Sequence, residues 1–328
     1  MIYSSPVFPE KRGALHISTD SHDRRIIAST SLVHALIHGC ELTYAAVLIA
    51  ISAGFGGGLF VLGIIANIFA LAFGSGALPS GFLADKIGSR RLLIICLFAT
   101  AITAVLVALS PNIWLLAITL TGLGIATGLY HPAGLSLITR EVRRRSLGIG
   151  YHGIGGNLGV ALTPLIAVGI TALWGWRFAY VFLAIGAVFL AFLLLRLPER
   201  REEAAALPSS ARSDTPGSPE RFLVGRLLIV YAANTIAGFI YRGALTFLPL
   251  YITQRTDFTL AGIDSKILGG SFASVALLFG VFGQYVGGNL AERIKLEKLI
   301  VPATAAIIPS LFIMGISGGI ILLIAAAS

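Results

Sequence analysis

The sequence predicts an all-α polytopic membrane protein. Apolar residues make up 56% of the 328 positions and charged residues 12%, against roughly 45–50% and about 25% in a soluble domain. A soluble chain of this size would lack the charge to cover its surface. Apolar runs of about twenty residues, the length that crosses a bilayer core as a helix, recur along the chain. Basic residues gather in alternate connections between those runs, the bias that sets membrane orientation.

The elements follow in order. Residues 1–25 are polar and lack the apolar stretch of a cleavable leader, so they read as a cytoplasmic tail. Spans are predicted at 26–50, 57–81, 91–109, 112–138, 147–171 and 177–196, and residues 26–196 form a first six-helix bundle. Residues 197–222 are rich in Pro, Ser, Ala and both charge signs, which marks a disordered cytoplasmic linker. Further spans are predicted at 223–251, 266–290 and 298–315, and another begins near 317. Residues 223–328 are therefore expected to form an incomplete second bundle, with nine to ten spans in all.

Charge placement orients this arrangement. With residue 1 in the cytosol, twenty of the twenty-four basic residues fall on the cytoplasmic side. Arg177, Arg255 and Lys266 fall outside, and Arg242 lies within a span. The bias predicts an integral protein of the cell (inner) membrane with a cytoplasmic N-terminus. It also accounts for the net charge of +9. Nucleic acid is excluded as a partner, because the bases sit in short inter-helix loops and not on one soluble face.

Other classes are excluded by what the sequence lacks. There is no phosphate-binding Gly-x-x-x-x-Gly-Lys-Ser/Thr loop, so ATP does not drive this chain. No Ser-His-Asp arrangement or cofactor motif is evident, and no enzyme activity or cofactor is expected. Cys40 and Cys96 both fall within spans and read as buried small hydrophobes, not as a disulfide. His131 and His152 lack a close ligand pair, Cys or acid nearby in sequence, so no metal site is expected. Trp174, Trp176 and Arg177 form an outer interfacial turn of the aromatic-belt kind.

The stretch Gly81-Phe82-Leu83-Ala84-Asp85-Lys86-Ile87-Gly88-Ser89-Arg90-Arg91 separates the second and third spans. A weaker copy, Gly288-Asn289-Leu290-Ala291-Glu292-Arg293-Ile294-Lys295, follows the eighth. The order small residue, Leu-Ala, acid, base recurs, and a duplicated turn of this kind marks a transporter built from two related halves. It resembles the signature loop Gly-x-Leu-Ala-Asp-Arg-x-Gly-Arg-Arg of the major facilitator superfamily. Lys86 stands where that loop usually has Arg, Ser89 replaces a base, Glu292 replaces the acid and Lys295 the second glycine. Tyr130-His131-Pro132-Ala133-Gly134 and Gly150-Tyr151-His152-Gly153-Ile154-Gly155-Gly156-Asn157-Leu158-Gly159 resemble the fosmidomycin-resistance-type branch. Gly159-Val160-Ala161-Leu162-Thr163-Pro164 resembles a drug–proton antiport motif, with Thr163 in place of its second glycine.

The resemblance implies two pseudo-symmetric six-helix bundles, a monomer, and a chain that stops short of the last helices. It implies a gating loop of Gly81, Asp85, Lys86, Gly88, Arg90 and Arg91, with Glu292 and Arg293 in the copy. In the family the acid clasps the two bundles, and its partner helix would lie beyond residue 328. The bland reading of the loop is a solvated turn with topogenic bases.

Within the spans, Glu41 is the one acid of fifteen well inside and Arg242 the one base. A charge at a helix centre costs ~2.5–3.5 kcal/mol on insertion scales, so such residues face a cavity or a partner. His34, His38 and Glu41 follow at i, i+4 and i+7, within about 60° of one helix face. Glu41, His34 and His38 are expected to exchange protons, histidine because its charge changes near neutral pH. Arg242, which aligns with His38 by the repeat, is expected to bind an anionic substrate or to hold Glu41 ionised. The structural alternative is a permanent Glu41–Arg242 bridge with packed histidines. His131, His152 and Tyr130 are expected as substrate contacts or a relay near the cytoplasmic mouth, where Pro132 bends the helix. Their alternative is a hydrogen bond that fixes the hairpin of spans four and five. Asn234, Tyr241, Thr246 and Gln284 are further polar candidates for the cavity wall.

These readings together predict a secondary active transporter working by alternating access on a small-molecule substrate, with protons and the lipid bilayer as its other partners. Proton-coupled efflux of a drug-like or anionic compound leads. Proton-coupled uptake of an organic anion, a non-transporting sensor or assembly protein, and a truncated inactive remnant are the alternatives.

Overall fold

A computed structural model describes residues 21–56, 58–197, scattered positions between 225 and 251, residues 259–260 and residues 263–316. The described residues form ten helices and one two-residue ladder. The helices are α1 (Ser21–Ala46), α2 (Leu48–Phe55), α3 (Leu59–Ile87), α4 (Ser89–Ala108), α5 (Ile113–Gly128), α6 (Tyr130–Glu141), α7 (Arg145–Trp174), α8 (Trp176–Leu195), α9 (Ser265–Ala291) and α10 (Leu296–Ile316). Strand β1 (Thr259–Leu260) pairs antiparallel with β2 (Ile263–Asp264) just before α9, a detail the helical pattern did not signal. The predicted span 223–251 and the start near 317 lie outside the described residues, apart from isolated positions.

Six of these segments are long and apolar enough to cross a membrane, α5 and α6 counting together. Large apolar side chains such as Phe60, Leu71, Leu78 and Phe189 are exposed on their outer faces, as lipid-facing positions are. A core of Ile, Leu, Val and Ala from α1 and α3–α8 fills the interior.

Helix breaks follow from local sequence. The fourth span divides at Leu129. Pro132 has no N–H to donate back toward residue 128. At the same break the Leu129 carbonyl accepts from the Ser80 hydroxyl at 2.5 Å. Gly88 and Gly175 turn at φ of +89° and +94° between helices, where a side chain would be strained. Asn112 caps α5 by accepting from the Leu115 N–H at 2.9 Å, relieving one orphan donor.

The basic connections meet at one end of the bundle. There His22 contacts Glu141 at 2.8 Å, and Arg90 donates to the Leu194 and Leu195 carbonyls that end α8. At the opposite end Arg177 lies 4.4 Å over the Trp176 ring and donates to the Ser110 carbonyl.

Candidate functional site

The site begins with how closely α7 approaches α1. A Cβ added at Gly155 would lie 2.3 Å from the Ser31 carbonyl oxygen, and one at Gly159 would lie 2.5 Å from that of Ala35. Only hydrogen fits at either position, so the two backbones nearly touch, as small residues permit in lipid. A Cβ at Gly156 would meet the His34 ring at 2.5 Å. The glycine run of the fifth span is therefore what gives His34 its berth.

From that berth His34 donates from Nδ1 to the His152 carbonyl at 2.8 Å. Its Nε2 faces His38 Nε2 at 3.1 Å, and His38 Nδ1 faces Glu41 Oε2 at 3.0 Å. The i, i+4, i+7 spacing thus becomes a continuous hydrogen-bonded chain. A carbonyl oxygen only accepts, so His34 Nδ1 carries a hydrogen. Hydrogen bonding at every contact would place one further hydrogen between the two imidazoles and another between His38 and Glu41. Three hydrogens are needed, whereas two neutral imidazoles and a carboxylate supply two. A chain hydrogen-bonded at every contact would thus hold one proton more than its neutral imidazoles and carboxylate supply.

His131 and His152 join the same cluster. The His34 ring stacks on His152 with centroids 4.1 Å apart and meets His131 edge-on at 5.2 Å. His38 and His131 centroids are 5.5 Å apart. From the sequence, His34, His38 and Glu41 form one cluster with Arg242, and His131 and His152 form a separate pair near the cytoplasmic mouth. The fold merges them, because the glycine contacts slide α7 along α1 until His152 stands beside His34. Tyr130 is fully buried. Its hydroxyl donates to the Thr30 carbonyl at 2.5 Å and stands 3.4 Å from His152 Nδ1, which pins α6 to α1 and α7. Phe73 closes the far side of His131 at 5.7 Å. Its role was not signalled, since one phenylalanine among nineteen carries no pattern. Imidazole nitrogens of His34, His38 and His131 lie within 4.8 Å of one another, a grouping that neighbours in sequence could not reveal.

Arg242, Asn234, Tyr241 and Thr246 lie outside the described residues. Gln284 on α9 faces α7: a Cβ at Gly153 would lie 2.4 Å from its Oε1. Gly150 and Gly288 make a similar backbone approach a turn away.

The duplicated turns take different partners. Asp85 binds Arg140 at 2.6 Å within the first half, both side chains exposed, and such pairs contribute little. Glu292 reaches across to the first half. Its Oε1 accepts from the Leu147 N–H at 3.1 Å in the first turn of α7, and its Oε2 lies 3.5 Å from Arg144 Nε. A carboxylate there meets both orphan N–H groups and the positive end of the helix dipole. Arg140, Arg143, Arg145 and Ser146 line a cleft of about 480 Å³ beside it. Among the loop residues, Gly88 makes the turn and Arg90 caps α8, while Gly81 has open space around its Cα. Arg140 and Arg144, the partners of the two acids, were counted in the sequence only as topogenic charges.

Comparison with known proteins agrees with this architecture. Residues 30–328 match the sequence model described as Major Facilitator Superfamily. The probable sulfoacetate transporter SauU of Cupriavidus necator is 27% identical over 71% of this chain and 56% of its own length. The probable L-galactonate transporter of Escherichia coli is 26% identical over 70% of this chain and 53% of its own. Multidrug resistance protein MdtG of Enterobacter lignolyticus is 28% identical over 72% and 56%. The chain thus spans a little over half the length of these relatives. Among solved structures, the E. coli fucose:proton symporter FucP superposes with a TM-score of 0.66 at 16% identity, over 93% of this chain and 80% of that one. A bacterial homolog of the human lysosomal transporter Spinster, inward-facing and unoccupied, gives 0.61 at 16% identity, over 94% and 73%. With its signature turn, its apolar helices and a family match over most of its length, this chain belongs to the Major Facilitator Superfamily.

Proposed function

We propose that the chain works as a proton-coupled secondary transporter, with the His34–His38–Glu41 chain as the proton carrier. The single observation that supports this is the unbroken chain of contacts from His34 through His38 to Glu41, at 3.1 Å and 3.0 Å. An array that needs one proton more than its neutral components supply is broken by deprotonation, which would set an imidazole lone pair against a carboxylate. Proton loss is thereby tied to movement of α1 against α7. His131, His152 and Tyr130, which join the same cluster, are assigned to substrate contact, and Arg242 to an anionic group of the solute.

The glycine contacts between α7 and α9 and the Glu292 link to the α7 N-terminus form the closed end in this reading. Opening requires them to part, which is the rocking step of alternating access. We assign that end to the cytosol of the inner membrane, because the basic turns collect there. We assign a monomer as the working unit.

For the solute, efflux of a drug-like or anionic compound is the leading reading. It is supported by resemblance to the fosmidomycin-resistance-type branch and by the name of MdtG. Uptake of an organic anion is the second reading, favoured by two relatives named for sulfoacetate and galactonate. Efflux-deficient cells expressing the full chain, challenged with a drug panel, and vesicles offered both anions separate the two. Resistance lost in Arg242→Ala supports export. Proton-driven accumulation of either anion supports uptake.

A further inference from the structure

We propose that His34, His38 and His131 form a binding site for a divalent transition-metal ion of the zinc, cobalt, nickel or copper group. The inference goes beyond the transport reading and does not depend on it.

Geometry carries the argument. His34 and His38 stand four residues apart on α1, so both rings project from one face. Their Nε2 atoms are 3.1 Å apart. Two imidazoles on a tetrahedral ion at about 2.05 Å would be ~3.3 Å apart, so this pair is already spaced for chelation. His131 of α6 brings a third nitrogen within 4.8 Å of both. Three histidines with a fourth position open to water or solute are a common arrangement for such ions, and imidazole selects this group over magnesium or calcium.

The surroundings fit as well as the ligands do. A histidine that binds metal usually donates its other ring nitrogen to a carbonyl or carboxylate, which fixes the tautomer and aims the lone pair. His34 Nδ1 is held by the His152 carbonyl at 2.8 Å, and His38 Nδ1 by the Glu41 carboxyl at 3.0 Å. Both Nδ1 atoms are thereby occupied, which leaves the two Nε2 atoms as the ligating pair. The stacked His152 ring and the Gly156 contact hold His34 in place. His38 and His131 are partly exposed, which leaves an approach for the ion. The hydrogen that bridges the two Nε2 atoms leaves when the ion enters.

The test is metal titration of the purified, tag-free full chain in detergent, with cobalt read by its visible absorption and zinc by calorimetry. One ion per chain is expected. His131→Gln and His38→Gln should each weaken binding by at least ~10-fold, while His22→Gln at the bundle end leaves it unchanged. Among the described residues His131 makes ring contacts but no hydrogen bond, so its variant should unfold at the wild-type temperature, and this control separates ligand loss from misfolding. Absence of saturable binding, or binding that survives both substitutions in folded protein, would overturn the proposal.

Discussion

Glu41 and His38 form the pair on which the proton account turns. The carboxyl lies on the same helix as its partner and is only partly exposed, so the contact is set by α1 itself and not by a mobile loop. That much was legible in the sequence, since i, i+4 and i+7 on an apolar helix define one face. The union with His131 and His152 was not legible. His34 and His152 are 118 positions apart, and only the packing of α7 on α1 decides whether two buried rings meet. Tyr130 gives a test at this scale. Tyr130→Phe removes the hydroxyl that donates to the Thr30 carbonyl, which keeps its bond within α1, a net loss of about 0.5–1.5 kcal/mol. Thermal unfolding in detergent should shift downward by several degrees. An unchanged midpoint would show that the hydroxyl bond contributes nothing.

The helices depend on glycine where they cross. Gly155, Gly156 and Gly159 present a flat stripe to α1, and Gly150 and Gly153 present one to α9. The sequence showed the glycines and their use as close packing, but not which helix each one faced. Gly159→Leu would drive four carbons into the Ala35 carbonyl region. Overpacking of this kind costs ~1–3 kcal/mol, and it should separate α1 from α7 and break the His34–His152 contact. Loss of both thermal stability and transport is expected, whereas Gly169→Leu, with open space around it, should change neither. Equal effects of the two substitutions would contradict the assigned packing. The break at Leu129 shows the reverse case: Pro132 marks the interruption in the sequence, but the Ser80 hydroxyl that binds the Leu129 carbonyl comes from a span about fifty residues earlier and could not be foreseen.

At the scale of the whole molecule, the two copies of the signature turn are unequal. Asp85 is 71% exposed in its ion pair and Glu292 is 20% exposed, so we assign the proposed clasp to the second carboxylate. The repeat was readable as a motif, but motifs do not reveal which copy finds a partner across the interface. Charge at a helix N-terminus contributes ~0.3–1 kcal/mol when exposed and up to about 2 kcal/mol when partly buried. Glu292→Gln should therefore raise the open population at this end by several-fold, up to ~30-fold. Maleimide labelling of a cysteine introduced at Ser146, which lines the cleft, reads that opening against a low background, since Cys40 and Cys96 are buried. Asp85→Asn, which breaks an exposed pair, should alter labelling by much less. The opposite ranking would reassign the clasp.

The central claim is that one proton, held between His38 and Glu41, is exchanged during each transport cycle. The direct measurement is solute movement in membrane vesicles under an imposed pH gradient, comparing the full chain with Glu41→Gln. The wild type should move solute uphill and lose that ability when a protonophore collapses the gradient. Glu41→Gln should still exchange solute down its own gradient but not concentrate it. If Glu41→Gln concentrates solute as the wild type does at every pH, the proton account is wrong.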